Sequence, residues 1–146
     1  MITHDISVVS ETCDTIAVMY GGRIIEIADA ETVIKHPRHP YTLGMRNAFP
    51  DIAQDEQNLV SIPGSPPEVI DPEDMCRFAP RCPFAEERCW EETPEPVEYD
   101  PGHFVECHRA DEVELLREEA AKRETWLEMD EKSREERLDQ LEVGDD

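Results

Sequence analysis

Apolar and polar positions are distributed unevenly along the chain, and they predict elements in its first third. Thr15-Ile-Ala-Val-Met-Tyr20 reads as a buried strand, Gly21-Gly22 as a two-residue turn tolerant of positive φ, and Arg23-Ile-Ile-Glu-Ile27 as the returning strand. Ahead of this hairpin, Met1-Ile2-Thr3 reads as the end of a strand. His4-Asp5 reads as a turn, and Ile6, Val9 and Cys13 recur at helical spacing in a short helix, with Cys13 as a packed core thiol. After it, Asp29 caps a predicted helix to about Lys35 that must stop near Pro37. Pro40 opens another, to about Phe49.

Beyond residue 50 the periodicity fades. Ten of the twelve prolines fall between Pro50 and Pro101, which predicts loops and short elements. So few regular elements need another source of stability, and the cysteines are the candidates. From Asp111 to about Leu141 the chain favours helix. Val113, Leu116, Ala120 and Leu127 make a weak stripe broken by Lys122-Arg123-Glu124, which predicts a solvated, fraying helix rather than a coiled coil. Only the first 109 residues are therefore expected to bury a core.

Charge narrows the classes. The 146 residues carry 36 acids against 14 bases, a net charge of −22. Residues 111–146 account for −9 of it and the first 110 residues for −13. Such a surface repels nucleic acid and anionic lipid. With only three lysines, Lys35, Lys122 and Lys132, an acid excess spread along the whole chain points to a salt-rich cytosol, where self-repulsion is screened. The alternative is an ordinary acidic protein with an acidic tail. No run of 18 apolar residues and no secretory leader pattern is present, so the expected location is cytoplasmic.

In a reducing compartment, clustered cysteines bind metal more often than they pair. Cys76, Cys82, Cys89 and Cys107 are separated by 5, 6 and 17 residues. Four thiolates suit tetrahedral zinc or an iron–sulfur cluster. Structural zinc usually uses close C-x₂₋₄-C pairs, absent here, whereas wider spacing suits a larger centre bound from separate loops. Two disulfides, or four buried thiols without a ligand, are the remaining readings.

Two stretches carry a family likeness. Ile2-Thr-His-Asp5, Glu11-Thr-Cys-Asp14 and Ile16-Ala-Val-Met-Tyr-Gly-Gly-Arg-Ile-Ile-Glu26 resemble the end of an ABC-type ATPase domain. His36-Pro-Arg-His-Pro-Tyr-Thr-Leu43, Ile62-Pro-Gly-Ser-Pro-Pro67, Cys76-Arg-Phe-Ala-Pro-Arg-Cys-Pro-Phe84 and Cys107-His-Arg109 resemble the C-terminal extension of oligopeptide and dipeptide importer ATPases. The resemblance implies an α/β fold in three parts. Residues 1–35 would be the end of a P-loop ABC ATPase domain, 36–109 a loop-rich, cysteine-ligated extension, and 110–146 an acidic helical or disordered tail. It implies that the complete subunit uses ATP with Mg²⁺, pairs with a second ABC ATPase subunit and drives membrane permease subunits from the cytoplasmic side, with no nucleic-acid partner.

By the same resemblance, His4 would contact the γ-phosphate of ATP as a catalytic and nucleotide-binding residue. The other reading of His4 is an ordinary loop histidine. Cys76, Cys82, Cys89 and Cys107 would hold a four-iron, four-sulfur cluster, with zinc as the alternative. Sequence neighbours suggest the roles of the other histidines: His36 and His39 flank prolines and would fix the docking of the extension, and His103 and His108 lie near Cys107 and would support the cysteines. The sequence has no Gly-x-x-x-x-Gly-Lys-[Ser/Thr] and no signature motif, so the chain by itself is expected not to hydrolyse ATP and to come from a split gene, a mis-called start or a true fragment of a larger subunit. The competing function is a free-standing metal-binding scaffold or regulatory module, or an inactive remnant.

Overall fold

The computed structural model describes residues 2–3, 5–48, 62 and 74–128. Helix α1 (Ile6–Thr12) leads into strands β1 (Thr15–Tyr20) and β2 (Arg23–Asp29). Gly21 and Gly22 form the turn between them with φ of 56° and 82°, values that only glycine adopts without strain. Helix α2 (Ala30–Lys35) follows at once, because Asp29 caps it: Oδ1 accepts from Thr32 N at 2.8 Å and Oδ2 from the Thr32 hydroxyl at 2.9 Å. Helix α3 (Pro40–Asn47) starts on proline, as expected.

The remaining elements are short. They are α4 (Glu87–Glu91), β3 (Val97–Asp100), β4 (His103–Val105) and α5 (Val113–Ala120), with single 3₁₀ turns at Ala79–Arg81 and Ala110–Glu112. Residues 123–128 are also helical. No helix among the described residues is long and apolar enough to cross a membrane.

All four strands join one antiparallel sheet in the order β1-β2-β4-β3. The first hairpin thus shares its sheet with a second one, 97–105, that the sequence did not reveal. Register sets which face is buried. Val18 pairs with Glu26 and Glu26 with Val105, so these three side chains stand on the core face. The opposite face shows Met19, Ile24 and Phe104 to solvent.

The core is built from β1 and β2 (Ile16, Val18, Tyr20, Ile25, Ala28), α2 and α3 (Val33, Leu43), the cysteine-rich loops (Phe78, Phe84) and the 110–128 region (Leu116, Ala120, Trp126). Over residues 113–128 this last contribution corrects the expected solvated helix; the rest of that expectation, to about Leu141, lies outside the described residues. α5 buries Val113, Leu116 and Ala120 and packs on α3. The chain then turns at 121–122, so that Trp126, 1% exposed, points inward while Leu127 stays 47% exposed. The Trp126 indole donates to Ala120 O at 3.0 Å and meets the Phe84 ring edge-on. Two smaller expectations also change: Ile2 and Thr3 are not in a strand, and Cys13 is only half buried.

Candidate functional site

The loop from Cys76 to Cys82 is fastened to the first hairpin. Arg77 donates through Nη1 to Gly21 O at 2.5 Å, and Arg81 through Nη1 to the Tyr20 hydroxyl at 3.0 Å. Between them Phe78 enters an aromatic cluster, with ring centroids 5.1 Å from Tyr20 and 5.5 Å from Tyr41. Sharp local turns then present the cysteines. Ala79 N donates to Cys76 O and Cys82 N to Ala79 O, forming the 3₁₀ turn, and Cys89 sits on the single-turn helix α4. A bond from Cys76 N to Cys89 O at 2.8 Å brings the first and third cysteines side by side. Cys107 arrives at the end of β4, held by the sheet.

These folds put Cys76, Cys82, Cys89 and Cys107 around one cavity, completed by His39, Pro40, Phe78, Ala79, Phe84, His108 and Arg109. The cavity is tight: a water-sized body has about 10 Å³ of room, within about 310 Å³ of empty space that includes the open mouth. All four cysteines are free thiols. Among the described residues, no three His, Cys, Asp or Glu side chains converge on a single point in the manner of a one-ion site. The thiols ring the cavity instead.

Burial dominates the chemistry of the Cys76, Cys82 and Cys107 thiols. It pushes Cys76 up, Cys82 well up and Cys107 up to about 12. Backbone N–H groups act in the opposite sense: those of Phe78 and Ala79 toward Cys76, that of Phe84 toward Cys82, and that of Arg109 to Cys107 Sγ at 3.4 Å. Neutral buried thiols are poor nucleophiles. N–H groups already aimed at the sulfurs are what a thiolate needs once a cation has displaced its proton. The donor types, thiols with N–H partners, are those of a thiolate-bound inorganic centre, and any centre larger than a water would need the cavity to open. In such a centre the metal would supply charge to hold four thiolates together.

The histidines divide. His103 does not support the cysteines: its Nε2 lies 2.5 Å from Glu26 Oε2, deep under the sheet. His108 does line the cavity, and its Nε2 is 2.7 Å from Glu92 O. His36 is the C-cap of α2 and contributes nothing to the cavity. His39 is buried, caps α3 by accepting from Tyr41 N at Nδ1 (3.0 Å), and lines the cysteine cavity. Burial lowers its imidazole to about 4, against smaller upward pulls from the Glu26 carboxylate and the Glu106 carbonyl. His4 lies outside the described residues.

Sequence reasoning missed Glu26. Its carboxylate, fully buried, accepts from Arg38 N (2.8 Å), His39 N (3.1 Å) and His103, and so positions the segment that carries His39. A glutamate breaking the apolar run of β2 was the available signal.

Residues 25–89 match the family model for the C-terminal region of oligopeptide/dipeptide transporters. The oligopeptide transport ATP-binding protein OppD of Haemophilus influenzae is 42% identical over 107 residues, covering 73% of this chain and 33% of that protein. A probable peptide ABC transporter ATP-binding protein of Sinorhizobium fredii is 45% identical over 113 residues, 77% of this chain and 34% of its own length. The dipeptide transport ATP-binding protein DppD of Escherichia coli is 41% identical over 108 residues, 74% and 33% respectively. The chain spans about a third of the length of these curated relatives.

Over residues 25–89 the chain carries the C-terminal region of oligopeptide and dipeptide transporters, and over about three quarters of its length it is similar to a part of the ATP-binding proteins of peptide ABC transporters.

Proposed function

We propose that the chain is the portion of a di- or oligopeptide importer's ATP-binding subunit that follows the nucleotide-binding motifs, and that the complete subunit energises peptide uptake by binding and hydrolysing ATP with Mg²⁺. The observation that carries this reading is the match of residues 25–89 to the transporter C-terminal region, together with identities of 41–45% to peptide-transport ATP-binding proteins. In the complete subunit His4 contacts the γ-phosphate, a second ATPase subunit completes the nucleotide sites, and permease subunits hold the assembly at the cytoplasmic face of the membrane. Residues 1–35 then close the ATPase domain, 36–109 form the extension and 110–146 the acidic tail.

The same reading makes Cys76, Cys82, Cys89 and Cys107 the ligands of a four-iron, four-sulfur cluster. Support comes from their shared cavity and from the N–H groups directed at the sulfurs of Cys76, Cys82 and Cys107. Zinc remains the alternative occupant. The centre would act as a staple that ties residues 76–107 into one unit.

Peptide uptake tests the transport reading. Cells of the source organism lacking this gene, and requiring one amino acid, should grow when it is supplied free and fail when it is supplied only in a di- or oligopeptide. A plasmid copy should restore growth, and undiminished growth on every peptide would contradict the proposal. The purified chain alone should show no ATP hydrolysis above blank.

A further inference from the structure

His39 presents an unusual balance of partners. Its Nδ1 accepts a hydrogen bond from Tyr41 N at 3.0 Å, so the ring's proton sits on Nε2. That Nε2 is buried and makes no hydrogen bond. The whole residue is 1% exposed, and its ring lines the cavity ringed by the four cysteines. A buried N–H without an acceptor costs about 1–3 kcal/mol, so such a group in a folded core calls for an explanation. The Glu106 backbone carbonyl is near enough to pull on the ring as an acceptor does, but the contact falls outside hydrogen-bond geometry. The cavity itself offers thiols, weak acceptors while protonated and strong ones once they are thiolates.

The ring has little freedom to turn away. Glu26 accepts from the backbone of Arg38 and His39, the α3 cap fixes Nδ1, and the Phe78 ring lies 5.9 Å away, centroid to centroid. We propose that His39 is a positioning residue of the cysteine-bound centre, its Nε2–H donating a hydrogen bond to a sulfur of that centre when it is bound. The inference rests on the iron–sulfur reading of the four cysteines. Its consequence is electrostatic. An N–H aimed at sulfur stabilises the added negative charge of the reduced state, so it raises the reduction potential, and it shields the sulfur from loss.

Two substitutions separate this role from capping. His39→Asn keeps a good capping oxygen near the position of Nδ1 but has no N–H at the position of Nε2. His39→Gln can place an amide N–H there while losing the cap. Full-length protein is loaded anaerobically with ferrous iron and sulfide, and its iron and sulfide content, midpoint potential, lifetime in air and unfolding temperature are measured. The Asn variant should unfold like the wild type yet show a more negative potential and faster loss of the centre. The Gln variant should unfold earlier yet keep a potential near that of the wild type.

In wild-type protein labelled with ¹⁵N-histidine, the reduced centre should show magnetic coupling to one histidine nitrogen; this reading does not depend on either variant folding. An unmoved potential in the Asn variant, or no such coupling, overturns the role of His39 while leaving the cluster in place. Wild-type protein that takes up no iron and sulfide overturns the cluster reading and this one with it.

Discussion

Glu26 and His103 meet inside the molecule: Nε2 and Oε2 are 2.5 Å apart, and the two side chains are 0% and 2% exposed. The carboxylate reaches this place because β2 pairs with both β1 and β4, leaving Glu26 between Val18 and Val105 on the core face. It also accepts from the backbone N–H groups of Arg38 and His39, and so joins the first hairpin, the approach to α3 and the second hairpin at one point. Removing it strands two buried N–H groups and one imidazole. Glu26→Ala should cost about 3–5 kcal/mol. Glu26→Gln keeps an acceptor oxygen and should cost less. Urea denaturation of both variants checks this, and an Ala variant within about 0.5 kcal/mol of wild type, the range of ordinary surface changes, would contradict the described network.

The region after residue 110 gives a second test. Trp126 is buried against Phe84 and Leu127 faces solvent. Trp126→Ala should therefore lose about 3–5 kcal/mol, and Leu127→Ala at most about 0.5 kcal/mol. Gly44 on α3 sharpens the point. A Cβ there would come within 2.7 Å of both the Trp126 ring and the Ile62 side chain. Alanine gains about 1 kcal/mol in helix propensity, but overpacking a closed core costs about 1–3 kcal/mol. Gly44→Ala should thus be neutral to destabilising, and Gly44→Ala with Trp126→Ala less destabilising than the sum. Strict additivity would place Trp126 elsewhere.

His39 makes stability depend on pH. Burial lowers it from an ordinary 6.5 to about 4 in the folded chain. Between those values the unfolded chain binds a proton that the folded chain does not, so stability is full above pH 6.5 and declines as pH falls toward 4. The loss is on the order of 3 kcal/mol. Denaturant midpoints for wild type and His39→Asn across pH 7 to 4 should diverge, with the wild type falling more steeply. Parallel curves would mean that the imidazole is not buried in its neutral form.

These tests also mark what could be read from the chain. The first hairpin was legible because its strands are six and seven residues long and meet at Gly21-Gly22. The second was not, because its strands have four and three residues, too few for alternation to show, although Pro101-Gly102 marked the turn. The helical stripe at Val113, Leu116 and Ala120 is visible in the sequence, but its burial against α3 is not. The stripe continues in sequence to Leu127, whereas a turn at 121–122 shifts the phase and brings Trp126 inward instead.

At the site, residue type alone singled out the four cysteines. Their arrangement around one cavity depends on Cys76 bonding to Cys89 through the backbone and on a sheet that delivers Cys107, neither of which spacing reveals. The pairing of Glu26 with His103, 77 residues apart, is a tertiary fact of the same kind. Closeness to Cys107 in sequence suggests His103 as a partner of the cysteines, but on β4 its ring meets Glu26 instead.

The centre itself is open to one decisive measurement: iron, acid-labile sulfide and zinc assayed on full-length protein purified without oxygen, alongside its visible spectrum and that of Cys82→Ser. The account predicts about four iron and four sulfide per chain, a brown colour with broad absorbance near ~400 nm, and loss of all three with protease sensitivity across 76–107 in the variant. Colourless wild-type protein holding neither iron nor sulfide, with residues 76–107 equally protease-resistant in both proteins, would contradict it.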